Sequence, residues 1–176
     1  MKKIFYFIII LIFGACSVTT EEDSKATATS STTLPDYDTT TLSGKIGTDW
    51  TFKTGRVLVS SSGSYTVYMI NDNLSNACSS TYTGTASNPK VMFSRDNLTV
   101  GETELGFGTG YGSVSFLDGS TTYLITKGKI SIDTHTTTAV TGKMYAIFGT
   151  DTDHEINGTF TLSRCCTSGS SYALCE

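Results

Sequence analysis

The sequence predicts an all-β fold, an antiparallel β-sandwich or small barrel of about nine or ten strands stapled by two disulfides, on three observations. From residue 44 onward apolar and aromatic side chains recur with period two, and no stretch after residue 16 shows a convincing helical period. Of the 17 glycines, 16 fall within residues 44–176, where they punctuate the alternating runs together with Asn and Asp. Four cysteines follow residue 16, an even number that fits a disulfide framework in an exported chain.

The chain opens with Lys2 and Lys3, then an apolar run over residues 4–13, then Gly14-Ala15 before Cys16. A positive start, a short apolar stretch and small residues at the cut describe a signal peptide over residues 1–15. The run is about half the roughly 20 apolar residues that span a bilayer. Phe13-Gly14-Ala15-Cys16 resembles the bacterial lipobox. That resemblance implies cleavage before Cys16, a diacylglycerol on its thiol and a fatty acid such as palmitate on its new amine. Ser17 stands where enteric bacteria use Asp to retain lipoproteins at the inner membrane, so the resemblance points to an outer-membrane anchor.

Cleavage would leave 161 residues, enough for one domain with a real core. Residues 17–43 hold 14 Ser or Thr in 27 positions and almost no large apolar side chains. Such a segment buries too little surface to offset its ordering entropy, so residues 16–43 read as the lipidated cysteine plus a disordered tether. The formal charge of −4 becomes −6 once Lys2 and Lys3 leave, and −4 of that lies in the tether. The β domain, residues 44–176, is close to neutral and has no basic stripe, which excludes a nucleic-acid partner.

Within that domain Ile46, Thr48, Trp50 and Phe52 alternate with polar neighbours. Residues 56–60, 65–70 and 91–93 are rich in β-branched, aromatic or large apolar side chains. Asp118-Gly119 and Lys127-Gly128, about nine residues apart, read as tight turns in a meander of hairpins. Residues 143–148 are apolar on both faces and predict a central strand, and residues 158–162 predict the last one. The predicted core is Trp50, Phe52, Val67, Phe116, Ile130, Ile132, Met144, Phe148, Phe160 and Leu162. Residues 71–89 are long, polar and Ser/Asn-rich, with Cys78 inside, and read as a loop held down by a disulfide.

Cys78, Cys165, Cys166 and Cys175 allow three pairings. A bond between the neighbours Cys165 and Cys166 would distort the backbone, which leaves Cys78 joined to one of them and Cys175 to the other. Cys166 is in phase with Phe160 and Leu162 along a strand, so parity favours Cys78–Cys166 with Cys165–Cys175.

Chemical motifs are sparse. Asp151, Asp153 and Glu155 alternate in an acidic turn and have the oxygen chemistry of a cation site, but Ile156 and Leu162 stand where a calcium loop needs Gly and Glu. No metal or other cofactor is implied. The same cluster with His154 would be the one place for a loop-built hydrolase, yet no nucleophile elbow occurs, and Gly110-Tyr111-Gly112-Ser113 lacks its spacing. Asp151, Asp153, His154 and Glu155 are therefore expected to be exposed at a hairpin tip with no shared pocket. His135, two residues after Asp133, is expected at a strand end facing water. The balance leans against an enzyme. Gly106, Gly108, Gly110 and Gly112 alternate with Phe107, Thr109 and Tyr111, a bare face opposite an aromatic one. Tyr82, Phe107 and Tyr111 are the candidate binding aromatics.

Taken together, Gly44-Lys45-Ile46, Gly128-Lys129-Ile130-Ser131-Ile132, Val140-Thr141-Gly142-Lys143 and Asn157-Gly158-Thr159-Phe160 resemble strand signatures of uncharacterised small β-domain lipoproteins of Gram-negative bacteria. The lipocalin G-x-W is not matched, because Gly47-Thr48-Asp49-Trp50 has one residue too many. The expectation is a lipid-anchored envelope lipoprotein with a non-catalytic binding or structural domain. Its partners would be the membrane, through the anchor, and an envelope protein or glycan.

Overall fold

Alternation in the sequence becomes eleven strands. The computed structural model describes residues 33–79, 89–107, 113–150, 153–168 and 171–176. Residues 1–32, with the expected signal peptide and Cys16, lie outside them. The first strands are β1 (Ser43–Ile46), β2 (Thr48–Thr51), β3 (Thr54–Val59), β4 (Tyr65–Ile70), β5 (Lys90–Arg95) and β6 (Gly101–Gly106). They are followed by β7 (Val114–Asp118), β8 (Thr121–His135), β9 (Ala139–Phe148), β10 (Glu155–Ser168) and β11 (Ser171–Leu174).

Seven strands close on themselves in the order β3-β4-β5-β7-β8-β9-β10, so the fold is a barrel and not a sandwich. A closed ring with an odd number of strands cannot alternate direction throughout. One seam must be parallel, and it is β3–β10, where Leu58 lies opposite Cys165. The β1–β2 hairpin continues the sheet beside the start of β10, and β11 pairs with its end.

The inward rows come from the period-two pattern. All ten residues of the predicted core are buried, and they join Leu42, Ile46, Val57, Met69, Val91 and Ile156 in one cluster. Burying each large side chain contributes roughly 1.5–3 kcal/mol. Trp50 also satisfies its indole, which donates to the Pro89 carbonyl at 3.2 Å. Its ring meets Phe116 edge-on at 5.9 Å.

Three local expectations are corrected. The run from Ile46 to Phe52 is not one strand: Gly47, at φ +71°, folds it into the β1–β2 hairpin. Asp118-Gly119 is a turn, but Lys127-Gly128 is not. β8 runs straight through it with a register shift between Ile125 and Lys127. Gly128 is needed there because a Cβ would collide with the Tyr145 carbonyl of β9. The body of the domain also begins earlier than the composition break at residue 44. Leu42 is fully buried, and Asn157 donates to the Asp36 carbonyl while accepting from the Asp38 amide.

The disulfides are Cys78–Cys165 and Cys166–Cys175, the reverse of the pairing favoured by parity. The parity itself holds. Phe160 and Leu162 face the barrel interior, and Cys165 points outward beside Leu58 and Tyr68. The loop after β4 folds over that outer face, so the outward cysteine is the one Cys78 meets. Arg56 is sealed beneath this layer, donating to the Ser79 carbonyl at 2.7 Å and standing 5.4 Å from the Tyr68 ring centre.

Candidate functional site

β8 is long enough to carry two partners in line on one edge. Its first residues, Thr121 to Leu124, pair with β7, and Lys127 to Ile132 pair with β6. β5 follows β7 only as far as Phe93 opposite Val114. Its last residues, Ser94 and Arg95, pair with Thr66 and Tyr65 of β4 and, among the described residues, with no other strand. Among the described residues β6 pairs with no strand but β8, so the wall splits between the end of β5 and β6.

The segment after β5 plugs the split from within. Leu98 is buried in the core, and its carbonyl lies 2.9 Å from Nδ1 of His135. The His135 ring meets Tyr65 edge-on at 5.5 Å. His135 is thus half-buried and not a water-facing strand end. A register shift between Ile132 and Thr134 breaks the parity expected to set it beside Asp133, which instead accepts from the Ser131 hydroxyl and stands 3.5 Å from Lys143.

Outside the plug lies a groove of about 600 Å³, lined by Ser64, Thr66, Ser94, Arg95, Asp96, Asn97 and Ser113. Arg95 and Asn97 also border a small cavity of about 30 Å³ against Phe93, Leu98 and Ile130. Arg95 continues the inward row of Val91 and Phe93, so its stem sits in the barrel mouth while its guanidinium reaches the groove. Burial lowers its pKa. Among the described residues no side-chain hydrogen bond or ion pair engages Arg95, Asp96 or Asn97. The hydroxyls of Thr66 and Ser94 lie 3.3 Å apart across the β4–β5 ladder. A half-desolvated guanidinium whose fork no described residue engages, beside hydroxyls, an amide and a carboxylate, can receive a planar anion and hydrogen-bond a polyhydroxylated neighbour.

The residues singled out from sequence fall elsewhere. Asp153 is exposed and stands 3.5 Å from Lys45. His154 is only 9 % exposed, which corrects the expectation that the whole cluster is solvated. It shares parity with Ile156 and Phe160, faces inward, and meets the Tyr123 ring edge-on at 5.1 Å. Glu155 points the other way and accepts from the Tyr145 hydroxyl at 3.1 Å. Burial first, and then that bond, push the Tyr145 pKa up to about 12. His154 and Glu155 thus point to opposite faces at the start of β10. Asp151 lies outside the described residues, and among those described no group of three His, Cys, Asp or Glu could hold a metal ion. Phe107, at the end of β6, is 79 % exposed. Tyr82, Tyr111, Gly108, Gly110 and Gly112 lie outside the described residues.

The groove was missed from sequence because it has no motif. One signal was present: Arg95 sits in phase with Val91 and Phe93, a cation in a row of core positions. No family model matches this chain, and neither a curated protein nor a solved structure matches it.

Proposed function

We propose that this chain is a lipid-anchored lipoprotein of the bacterial envelope, held at the outer membrane through Cys16, whose β-barrel is a non-catalytic binding module. The leader pattern before Cys16 and the Ser/Thr-rich stretch after it support the anchor. Two acyl chains or more suffice for stable attachment, whereas one binds only reversibly. The observation that carries the binding reading is Arg95, half-buried and unengaged among the described residues, in a polar groove where the barrel wall opens. A groove of this volume falls in the range of roughly 300–1,000 Å³ that small ligands fill. The partner is an envelope glycan or protein, and exposed Phe107 directly follows the strand bordering the split.

Two measurements test the two halves. Replacing Cys16 with Ser should move the protein from the membrane to the soluble fraction or leave the leader uncleaved. Unchanged fractionation, processing and mass would refute the anchor. Full-length protein used as bait in an envelope extract should retain a partner that the Arg95→Gln variant releases.

A further inference from the structure

Resting on the reading of the barrel as a binding module, we infer that the groove at the split wall takes a carboxylate-bearing carbohydrate, its carboxylate on Arg95 and its hydroxyls on Ser94, Asp96 and Asn97. The guanidinium fork matches a carboxylate in two parallel hydrogen bonds, and a lysine would not reproduce that geometry. Its stem is fixed by the inward row of β5 and by the Tyr65–Arg95 register, so little freedom is lost on binding.

The rest of the lining sets the class of ligand. None of the seven residues around the groove is a large apolar side chain. An extended peptide laid along a sheet edge needs sockets for alternate side chains, and this surface offers hydroxyls, an amide and a carboxylate instead. Asp96 accepts but cannot donate when ionised, which suits the O–H groups of a sugar. The same carboxylate repels a dianion, so inorganic phosphate is disfavoured although Arg95 alone would welcome it. With no aromatic ring among the described residues of the lining, contact runs along the polar edge of the sugar and affinity is modest.

The test uses the full chain in detergent, titrated by calorimetry with glucuronate, glucose, acetate and inorganic phosphate. Glucuronate should bind at least about tenfold more tightly than glucose or acetate, because it alone engages both halves of the groove. Arg95→Gln should reduce glucuronate to the level of glucose and leave glucose unchanged. Arg95→Lys should recover only part of the loss. Asp96→Asn should weaken both sugars and strengthen phosphate, and it carries the test if the Arg95 variants fail to fold. Phosphate binding more tightly than glucuronate, or equal glucuronate affinity in Arg95→Gln, would overturn the assignment. In the extract experiment, a retained protein that excess glucuronate does not displace overturns the carbohydrate and keeps the binding module. Retention of nothing, together with no glucuronate binding, overturns both.

Discussion

The two ends of the barrel are built on different principles. At one end the β1–β2 hairpin folds beside the start of β10, and Trp50, Phe116, Phe148, Tyr123 and His154 pack ring against ring. At the other end, among the described residues, β5 and β6 part, Leu98 packs behind the gap, and hydroxyls and Arg95 line the opening. Both disulfides are at that second end, tying the last part of β10 to its neighbours. Stability at the hairpin end comes from burial. At the cleft end covalent staples replace part of it and leave polar groups free to meet a ligand.

The sharpest way to break this contrast is to empty the hairpin end. Trp50→Ala should lower unfolding free energy by about 3–5 kcal/mol in a urea titration, through the lost transfer energy and the cavity left behind. A loss under about 1 kcal/mol would mean that the aromatic end is not where stability resides. Removing the Cys78–Cys165 bond with paired serines should cost about 2–4 kcal/mol. The same change at Cys166–Cys175 should cost less, because the closed loop spans 9 residues instead of 87. Equal losses would show that loop length is not the controlling factor.

Tyr145→Phe removes the bond to Glu155 and should cost about 1 kcal/mol at neutral pH. Its folded pKa is raised above the ordinary tyrosine value of 10.0 to about 12. The contribution is therefore complete below pH 10 and lost as pH rises toward 12. Stability should fall across that window in the wild type and fall less in Tyr145→Phe, as followed by urea unfolding at stepped pH. The smallest effect is expected at the cleft. Arg95→Leu should change stability by less than about 1 kcal/mol, on the stabilising side, because a half-buried cation without a partner among the described residues is held against its own hydration. A clear loss of stability there would mean that Arg95 serves the fold and not a ligand.

Much of this contrast was legible in the chain. The inward rows followed from period two, as Trp50, Phe116 and Phe148 at one end and Ile130 and Ile132 toward the other show. The same rule applied to single polar residues would have turned His154 inward with Ile156 and Arg95 inward with Phe93. Charge invites the assumption of exposure, and at these two positions strand parity prevails.

Local composition by itself determined that the chain makes strands, which side chains most of them bury and that the cysteines cross-link. These depend on neighbours one to four residues away, and the alternation of a strand encodes them directly. Only the tertiary structure decided that the sheet closes through a parallel β3–β10 seam, that the Cys78 loop covers the outer face and reaches Cys165, and that β6 parts from β5 to leave Arg95 in a groove. Each of these joins segments far apart in the chain, where many pairings satisfy the same local pattern. The choice among them rests on the barrel closing over one shared core.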